Sequence, residues 1–243
     1  MTSYQIISVG DQALAIEFAN RIDPVVNRHL QQIGRYILKQ HLSAVKTIIP
    51  AYRTLTVTFD GGQTSFEELK DQLEPLIEKS MNAPLPPSKT WLIPVCYGGK
   101  YGPDLEDVAR FAGLSTAEVI KEHTAQSYLI YFLGFLPGFA YMGSVDQKIA
   151  MPRLEQPRLE IPAGSVGIAG EQTGFYPVAS PGGWRIIGQT PLKLYDEKNP
   201  ASFYHAGDSV KFFAVDEEEF QKIQLADRLG KYQVKAVTSD ADD

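Results

Sequence analysis

The chain has 243 residues, of which 44% are hydrophobic and 21% charged, values ordinary for a globular protein with one large or two smaller domains. Its net charge of −6 does not favour a surface that binds nucleic acid or an anionic membrane. The sequence has no secretory signal pattern, no apolar run long enough for a membrane helix, and a single cysteine, Cys96. We therefore expect a cytoplasmic protein in which Cys96 is a small buried residue without catalytic function.

Residues 1–83 alternate between strand and helix patterns. The predicted strands are residues 4–10, 13–18, 44–50 and 54–59. One helix is predicted with Asp23 as its N-cap and Pro24 at its first position, and a second begins near Thr64 or Ser65. Helical spacing assigns the buried face of the first helix to Val26, Leu30, Ile33, Ile37 and Leu38. The order of elements predicts a small sandwich, with both helices on one face of an antiparallel sheet.

Three prolines in residues 84–89 predict an extended linker to a second domain over residues 90–230. That domain begins with a strand and two short helices capped by Asp104 and Ser115. Further strands are predicted at 127–135, 165–170, 173–179, 184–188, 192–195 and 209–215. The recurrence of short strands between glycines and prolines is typical of a compact β-barrel. A last helix follows Asp216 and stops at Gly230, and a tail is predicted over 231–243.

Residues 161–192 contain seven glycines and four prolines, which raises the possibility of a phosphate-binding loop. Gly164, Gly167 and Gly170 match neither the dinucleotide fingerprint nor the P-loop, and no helix follows that would offer its N-terminus to an anion. Tight turns between strands explain the glycines better, because glycine adopts positive φ without steric cost. The sequence therefore favours turns of a β-rich domain over a phosphate cradle.

Two further kinds of site are disfavoured by their patterns. Residues 163–167 are a variant of the hydrolase nucleophile elbow, with His205 and Asp208 as conceivable partners of Ser165. The elbow requires a strand-to-helix turn, whereas the residues after Ser165 have a strand pattern. The four histidines show no metal-ligand spacing, so no metal site is predicted.

The composition of the same region suits a ligand pocket or a protein interface. Aromatic and uncharged polar side chains alternate with turns, and Arg153, Arg158 and Arg185 lie close in sequence. Arginine holds a carboxylate or phosphate through two parallel hydrogen bonds, while aromatic side chains supply apolar walls. The residues alone leave both interpretations open.

Three segments resemble the family of 5-oxoprolinase B subunits, also called KipI or allophanate hydrolase subunit 1. They are FLGFLPGFAYMG (132–143), MPRLEQPRLEIPAGSVGIAGEQTGFYPVASPGGWRIIGQTPL (151–192) and AGDSVKF (206–212). Residues 93–109 resemble the family as well, so the likeness extends over nearly the whole chain. The sequence departs from the family at Gln189, where arginine is frequent, and at Ala206, where proline is frequent.

The resemblance implies an α+β fold in two domains, a small α/β sandwich followed by a cyclophilin-like β-barrel. It implies one component of an ATP-dependent 5-oxoprolinase, which hydrolyses 5-oxo-L-proline to L-glutamate with the help of separate A and C subunits. This chain would be inactive alone, and ATP would be consumed as a co-substrate by the complex, with its binding residues unknown. An alternative is an inhibitor that binds a sporulation-type sensor histidine kinase through the barrel. A prolyl isomerase is a third, weaker possibility, since a fold does not carry an activity.

The resemblance also directs attention to particular side chains. The candidate catalytic residues are His123, as a general acid or base, and Arg153 and Arg158, as holders of carboxylate or phosphoryl oxygens. A purely structural His123 fits the sequence equally well. The candidate substrate-binding residues are Gln172, Thr173, Tyr176, Ser180, Trp184 and Arg185.

Overall fold

The computed structural model describes residues 3–200 and 202–239, and the chain divides into two compact units between Pro87 and Ser88. The predicted linker ends earlier than residue 89, because the first strand of the second unit begins at Ser88. The predicted tail contains a strand, Ala236–Ser239, and its last residues, 240–243, lie outside the described part of the chain.

The first unit contains four strands and two helices in the predicted order. They are β1 (Tyr4–Ser8), β2 (Ala13–Phe18), α1 (Pro24–Leu38), β3 (Val45–Pro50), β4 (Thr54–Phe59) and α2 (Phe66–Met81). The strands form one antiparallel sheet in the order β1-β2-β4-β3. Apolar side chains of β2, β4, α1 and α2 form a single buried core, which explains the alternation of buried residues along β4.

Side-chain caps start both helices of this unit where the sequence predicts. The Asp23 carboxylate accepts hydrogen bonds from the backbone N–H groups of Val25 and Val26. Ser65 and Glu68 form a reciprocal capping box at the start of α2. The predicted burial of Leu38 is wrong: its position at the last residue of α1 leaves it 60% exposed.

The second unit contains the remaining strands and helices. They are β5 (Ser88–Tyr97), α3 (Leu105–Ala112), α4 (Thr116–Ala125), β6 (Ser127–Leu133), β7 (Ala140–Gly143), a 3₁₀ turn (Gln147–Ile149), β8 (Arg158–Ile161), β9 (Ser165–Ala169), β10 (Gln172–Phe175), β11 (Ser180–Gly182), β12 (Arg185–Gln189), β13 (Ser209–Ala214), α5 (Glu217–Arg228) and β14 (Ala236–Ser239). Seven strands pair in the order β12-β9-β10-β7-β6-β13-β5, and β12 also pairs with β5, so the sheet closes into a barrel. The α+β fold with a small sandwich and a β-barrel is confirmed.

Two pairings fall outside this closed ring. β14 pairs with the first residues of β5, whereas β12 pairs with its last two, Cys96 and Tyr97. β8 and β11 form a separate two-stranded sheet. The predicted caps at Ser115 and Asp216 are confirmed, because Ser115 forms a capping box and Asp216 accepts from the Glu219 N–H. Gly113 ends α3 with a positive φ.

The sequence prediction fails for some short strands. Residues 192–195 are not a strand, although Leu192 and Leu194 are buried, because an irregular segment can bury alternate residues without ladder pairing. Four elements of three or four residues, β7, β8, β11 and β14, are not predicted as separate strands. Segments this short carry too few alternations for a recognisable period.

Glycines of the glycine-rich segment lie where neighbouring strands approach most closely. A Cβ atom at Gly188 would lie 2.5 Å from Val95 Cγ1, and one at Gly174 would lie 2.6 Å from the Ala140 carbonyl oxygen. Gly164 has φ +82° and passes close to the Thr190 carbonyl oxygen. Neighbouring protein atoms therefore fill the space beside these three glycines. Gly164 lies in a turn, as predicted, whereas Gly174 and Gly188 lie within strands, where close packing excludes a side chain.

Substituting Gly188 with alanine is expected to lower the free energy of unfolding of the second unit by about 2 kcal/mol, because an overpacked core must shift its strands. The matched control is Gly134→Ala, whose added methyl group would meet nothing nearer than the Phe132 ring at 3.8 Å. Urea denaturation followed by tryptophan fluorescence measures this, since Trp91 and Trp184 both lie in the second unit. Equal stabilities of the two variants would contradict the close-packing role.

Candidate functional site

His123 lies fully buried on α4, inside the core formed by the barrel and its helices. Its Nδ1 is 2.8 Å from the Tyr97 hydroxyl and its Nε2 is 2.9 Å from the Thr173 hydroxyl. The Thr173 hydroxyl donates its own proton to the Gly167 carbonyl oxygen, so it accepts from His123. The ring is therefore the Nε2–H tautomer, and Tyr97 donates to Nδ1.

Burial lowers the pKa of His123 from 6.5 to about 3, since no charged group compensates for the lost hydration. The ring is neutral at physiological pH, both nitrogens have partners, and the ring stacks on Phe212 at 4.8 Å between centroids. These contacts favour the structural interpretation of His123. Thr173, predicted to bind substrate, belongs to the same buried chain of hydrogen bonds and is itself fully buried.

Arg158 forms an internal ion pair with Asp104. Its Nη1 and Nη2 donate to the two carboxylate oxygens of Asp104, at 2.9 and 2.6 Å. The same carboxylate accepts from the Ile186 backbone N–H at 2.6 Å, so it joins the start of α3 to β8 and β12. Asp104 therefore occupies the predicted N-cap position, but its side chain caps no helix N–H group.

Arg185 also makes contacts that stabilise the fold. Its Nε donates to the Pro152 carbonyl oxygen at 3.2 Å, and its Nη1 lies 3.9 Å from a carboxylate oxygen of Asp107 on α3. These contacts hold the segment before β8 against the barrel. Ser180 is buried in β11, and its hydroxyl donates to the neighbouring Pro181 carbonyl oxygen, whereas Gln172 is half-buried at the start of β10.

Arg153 differs from the other two arginines. It is exposed and makes no hydrogen bond or ion pair within residues 3–200 and 202–239. Its positive charge acts on two tyrosines. Burial raises the pKa of Tyr141, and raises that of Tyr176 to about 12, while Arg153 opposes both shifts. Hydrogen bonds of the chain neighbours of Arg153 hold this segment beside Trp184, because Arg185 donates to the Pro152 carbonyl oxygen and the Leu154 N–H donates to the Gly183 carbonyl oxygen at 2.6 Å.

Tyr141 and Tyr176 belong to an aromatic cluster completed by Phe139 and Trp184. Their rings meet edge-on or tilted, with centroids 4.8 Å apart for Phe139 and Tyr141 and 5.1 Å for Phe139 and Tyr176. The Trp184 ring lies 5.4 Å from that of Phe139. The predicted wall residues Tyr176 and Trp184 are therefore brought together. We call Arg153 with Tyr141, Tyr176 and Trp184 the Arg153 cluster.

The disfavoured nucleophile site does not assemble. Ser165 is buried in β9, whereas His205 is exposed and its Nδ1 lies 3.9 Å from the Asp208 carboxylate. Asp208 serves the fold by accepting from the Trp91 indole N–H at 3.0 Å and from the backbone of Lys89.

The described residues lack two kinds of feature. No three His, Cys, Asp or Glu side chains among them come together as a group that could hold a metal ion. None of their helices is long and apolar enough to cross a membrane.

Two grooves of the second unit are open to small molecules. One, of about 440 Å³, is lined by Leu92, Thr124, Lys211, Phe212, Phe213, Ala214, Tyr232 and Lys235. The other, of about 400 Å³, lies beside Ala163, Gln189 and α5. None of the nine predicted site residues lines either groove. No sequence pattern indicates the second groove, because its walls come from four separate segments, around residues 163, 178, 191 and 227.

A protein-family model described as "Carboxyltransferase domain, subdomain C and D" matches residues 4–204. The chain belongs to this family. It is 42% identical over 228 residues to the 5-oxoprolinase B subunit of Bacillus subtilis (strain 168), covering 89% of this chain and 95% of that protein. This confirms the resemblance inferred from the sequence motifs.

Solved structures support the fold of this carboxyltransferase-domain chain. A conserved uncharacterized protein from Pyrococcus horikoshii is 44% identical with a TM-score of 0.53, covering 89% of this chain and 100% of that one. The urea amidolyase of K. lactis is 16% identical with a TM-score of 0.80, covering 98% of this chain and 16% of that one. The second likeness concerns the fold alone.

The sequence analysis of this carboxyltransferase-domain chain does not identify two residues, Asp104 and Tyr141, whose contacts organise the candidate site. It assigns Asp104 only as a helix cap, although this residue carries the ion pair with Arg158. It assigns Tyr141 no function, although this residue belongs to the Arg153 cluster. An aspartate before a helix is so common as a cap that its sequence context hides a second use.

The buried neutral state of His123 makes stability depend on pH. The unfolded chain binds a proton near pH 6.5 and the folded chain only near pH 3, so the free energy of unfolding falls as pH drops through this window. Between pH 7 and pH 5 the His123 contribution is about 2 kcal/mol.

His123→Gln should remove that share of the pH dependence while lowering stability at pH 7, because its ring contacts are lost. The control is His205→Gln, at an exposed histidine. Urea denaturation of all three proteins at pH 5 and pH 7 measures the difference. A His123→Gln variant with the wild-type pH dependence would show that this histidine is not held neutral.

Proposed function

We propose that this chain is the B subunit of an ATP-dependent 5-oxoprolinase, which opens the lactam of 5-oxo-L-proline to give L-glutamate. The observation that carries the proposal is the 42% identity to a protein named as the B subunit of 5-oxoprolinase, over 95% of that protein's length. The A and C subunits would be its partners, and the chain alone would be inactive. The hydrolysis of a cyclic amide is thereby assigned to the complex rather than to this chain.

The chemistry of the reaction suits the groups found here. A lactam amide is stabilised by resonance, and activation of its carbonyl at the expense of ATP creates anionic oxygens. Such a reaction needs cations and fixed hydrogen-bond donors in a region that excludes water, and it does not need a serine nucleophile. We assign ATP no binding residues on this chain.

Arg153 is our candidate for holding the anionic oxygens of the activated lactam. It is exposed, it has no ion-pair partner among the described residues, and its chain neighbours Pro152 and Leu154 are hydrogen-bonded to Arg185 and Gly183, on either side of Trp184. Arg158 and Arg185 would support it by fixing β8 and the preceding segment through Asp104 and the Pro152 carbonyl oxygen. His123 is not retained as a general acid or base, because its ring is buried and both nitrogens are engaged.

The kinase-inhibitor alternative stays a prediction from the family resemblance. No contact among the described residues favours a kinase as the partner over the other components of an enzyme. It becomes the preferred interpretation if the assembled complex has no turnover.

The proposed function is tested by reconstitution. This chain is purified together with the matching C subunit, the A subunit is then supplied, and ATP-dependent release of glutamate from 5-oxo-L-proline is measured. We expect turnover that disappears when this chain is left out. A complete three-component complex without turnover would contradict the proposal.

Substitution of Arg153 is expected to affect activity, whereas substitution of Arg158 is expected to affect stability. Arg153→Gln is expected to fold with wild-type stability and to lower kcat of the complex about 100-fold, because an anion contact is lost. Arg158→Gln is expected to lower the free energy of unfolding by about 3 kcal/mol, because it leaves the buried Asp104 carboxylate without its partner. Full activity of the complex with Arg153→Gln would remove Arg153 from the proposed site.

A further inference from the structure

The smaller groove of the second unit has the size and position of a small-molecule site. Its volume is about 400 Å³, within the range of ligand pockets. It is lined by Ala163, by residues 177–179, by Gln189 to Leu192, which we call its floor, and by residues near the end of α5. Nothing in the proposed function uses this groove, which is distinct from the Arg153 cluster in its lining residues.

Backbone hydrogen bonds fix the floor of the groove. The Gly164 N–H donates to the Tyr176 carbonyl oxygen at 2.7 Å, and the Thr190 N–H donates to the Gly164 carbonyl oxygen at 2.9 Å. Gly164 is required here, because its positive φ and its approach to Thr190 leave no room for a side chain. The floor is therefore preorganised, which reduces the entropy lost when a ligand binds.

Gln189 presents an oriented carboxamide to this groove. Its Nε2 donates one hydrogen to the Ala163 carbonyl oxygen at 2.7 Å, which fixes the side chain. A carboxamide has two N–H donors and one carbonyl acceptor, so one N–H and Oε1 are left for a ligand. A lactam has its N–H and C=O on the same edge of the ring, which matches this donor and acceptor pair.

Arg228 supplies a cation at the α5 side. It is exposed and forms no ion pair in the described part of the chain, and it lines the same groove as Gln189. Nearby, Asp227 and Lys193 are engaged with each other, because the Lys193 backbone N–H donates to the Asp227 carboxylate at 2.8 Å. The guanidinium of Arg228 is thus the group of this groove best suited to bind a carboxylate.

The remaining walls are largely apolar. Pro177, Val178 and Leu192 line the same groove and present hydrocarbon surface. A ring with two or three methylene groups fits such surface, since its burial is favourable and it needs no hydrogen bonds.

We propose that this groove binds a small lactam acid, with its amide paired to Gln189 and its carboxylate to Arg228. The proposal deepens the proposed function and rests on it for the choice of 5-oxo-L-proline as the probe.

The test measures binding of three ligands to the full-length chain by calorimetry. 5-Oxo-L-proline carries both recognised groups, 2-pyrrolidinone lacks the carboxylate, and cyclopentanecarboxylate lacks the amide. We expect 5-oxo-L-proline to bind and each of the other two to bind about 10-fold or more weakly, the loss expected for one charged or buried hydrogen-bonded contact.

Two variants locate the ligand in the groove. Gln189→Met keeps the length of the side chain without its amide, and Arg228→Gln removes the cation. Each should weaken binding of 5-oxo-L-proline about 10-fold and raise KM of the complex more than it lowers kcat. Gln221→Met, on the exposed surface of the same helix, is the matched control and should bind like the wild type.

The outcomes separate this proposal from the proposed function. No binding of 5-oxo-L-proline to the wild-type chain, or unchanged binding by both groove variants, overturns the groove site even if the complex turns over. Binding that depends on Gln189 and Arg228, with no turnover by the complete complex, supports the groove and contradicts the 5-oxoprolinase assignment. Thermal unfolding followed by tryptophan fluorescence confirms that each variant is folded.

Discussion

The barrel depends on a close approach of strand backbones that only glycine permits. β12 lies against β9 on one side and against the end of β5 on the other, and this second pairing closes the seven-stranded ring. At Gly188 the backbone passes so close to Val95 that a methyl group does not fit. Closure removes the free edges of the barrel sheet and sets where the loops around it begin.

Closure also brings together groups that are distant in sequence. The Asp104 carboxylate reaches the Ile186 N–H on β12 and the Arg158 guanidinium on β8. A carboxylate removed from water is costly unless it is paired and hydrogen-bonded, and three strong donors compensate here. This use of Arg158 for the fold is what distinguishes Arg153, which has a similar sequence context and no such partner in the described part of the chain.

The buried chain of hydrogen bonds around His123 also has a structural role. Tyr97, His123 and Thr173 satisfy one another and end on the Gly167 carbonyl oxygen. A histidine in this setting rigidifies the core, because every polar atom of its ring has a partner. A group that binds a ligand must instead be accessible, and it must have a hydrogen-bond donor or acceptor without a partner in the protein. In this domain, Arg153 and the groove residues Gln189 and Arg228 meet that condition.

Sequence signals were sufficient for the helices, the longer strands, the two-domain order and the family. Helix caps such as Asp23 and Ser65, and the alternation along β4, act through neighbouring residues, so their signals are local. The glycine-rich segment was attributed to tight turns, because it lacked the spacing of a phosphate loop. Gly164 does lie in a turn, but Gly174 and Gly188 lie within strands, and only the tertiary structure shows that their neighbours leave no room for a side chain. The polar residues are different, since their partners come from tertiary contacts. Whether Arg158 or Arg153 has a partner depends on Asp104, about fifty residues earlier, and the groove joins residues near 163, 189 and 228. These contacts are set by barrel closure, and a long-range pairing leaves no periodic trace in the residues that take part.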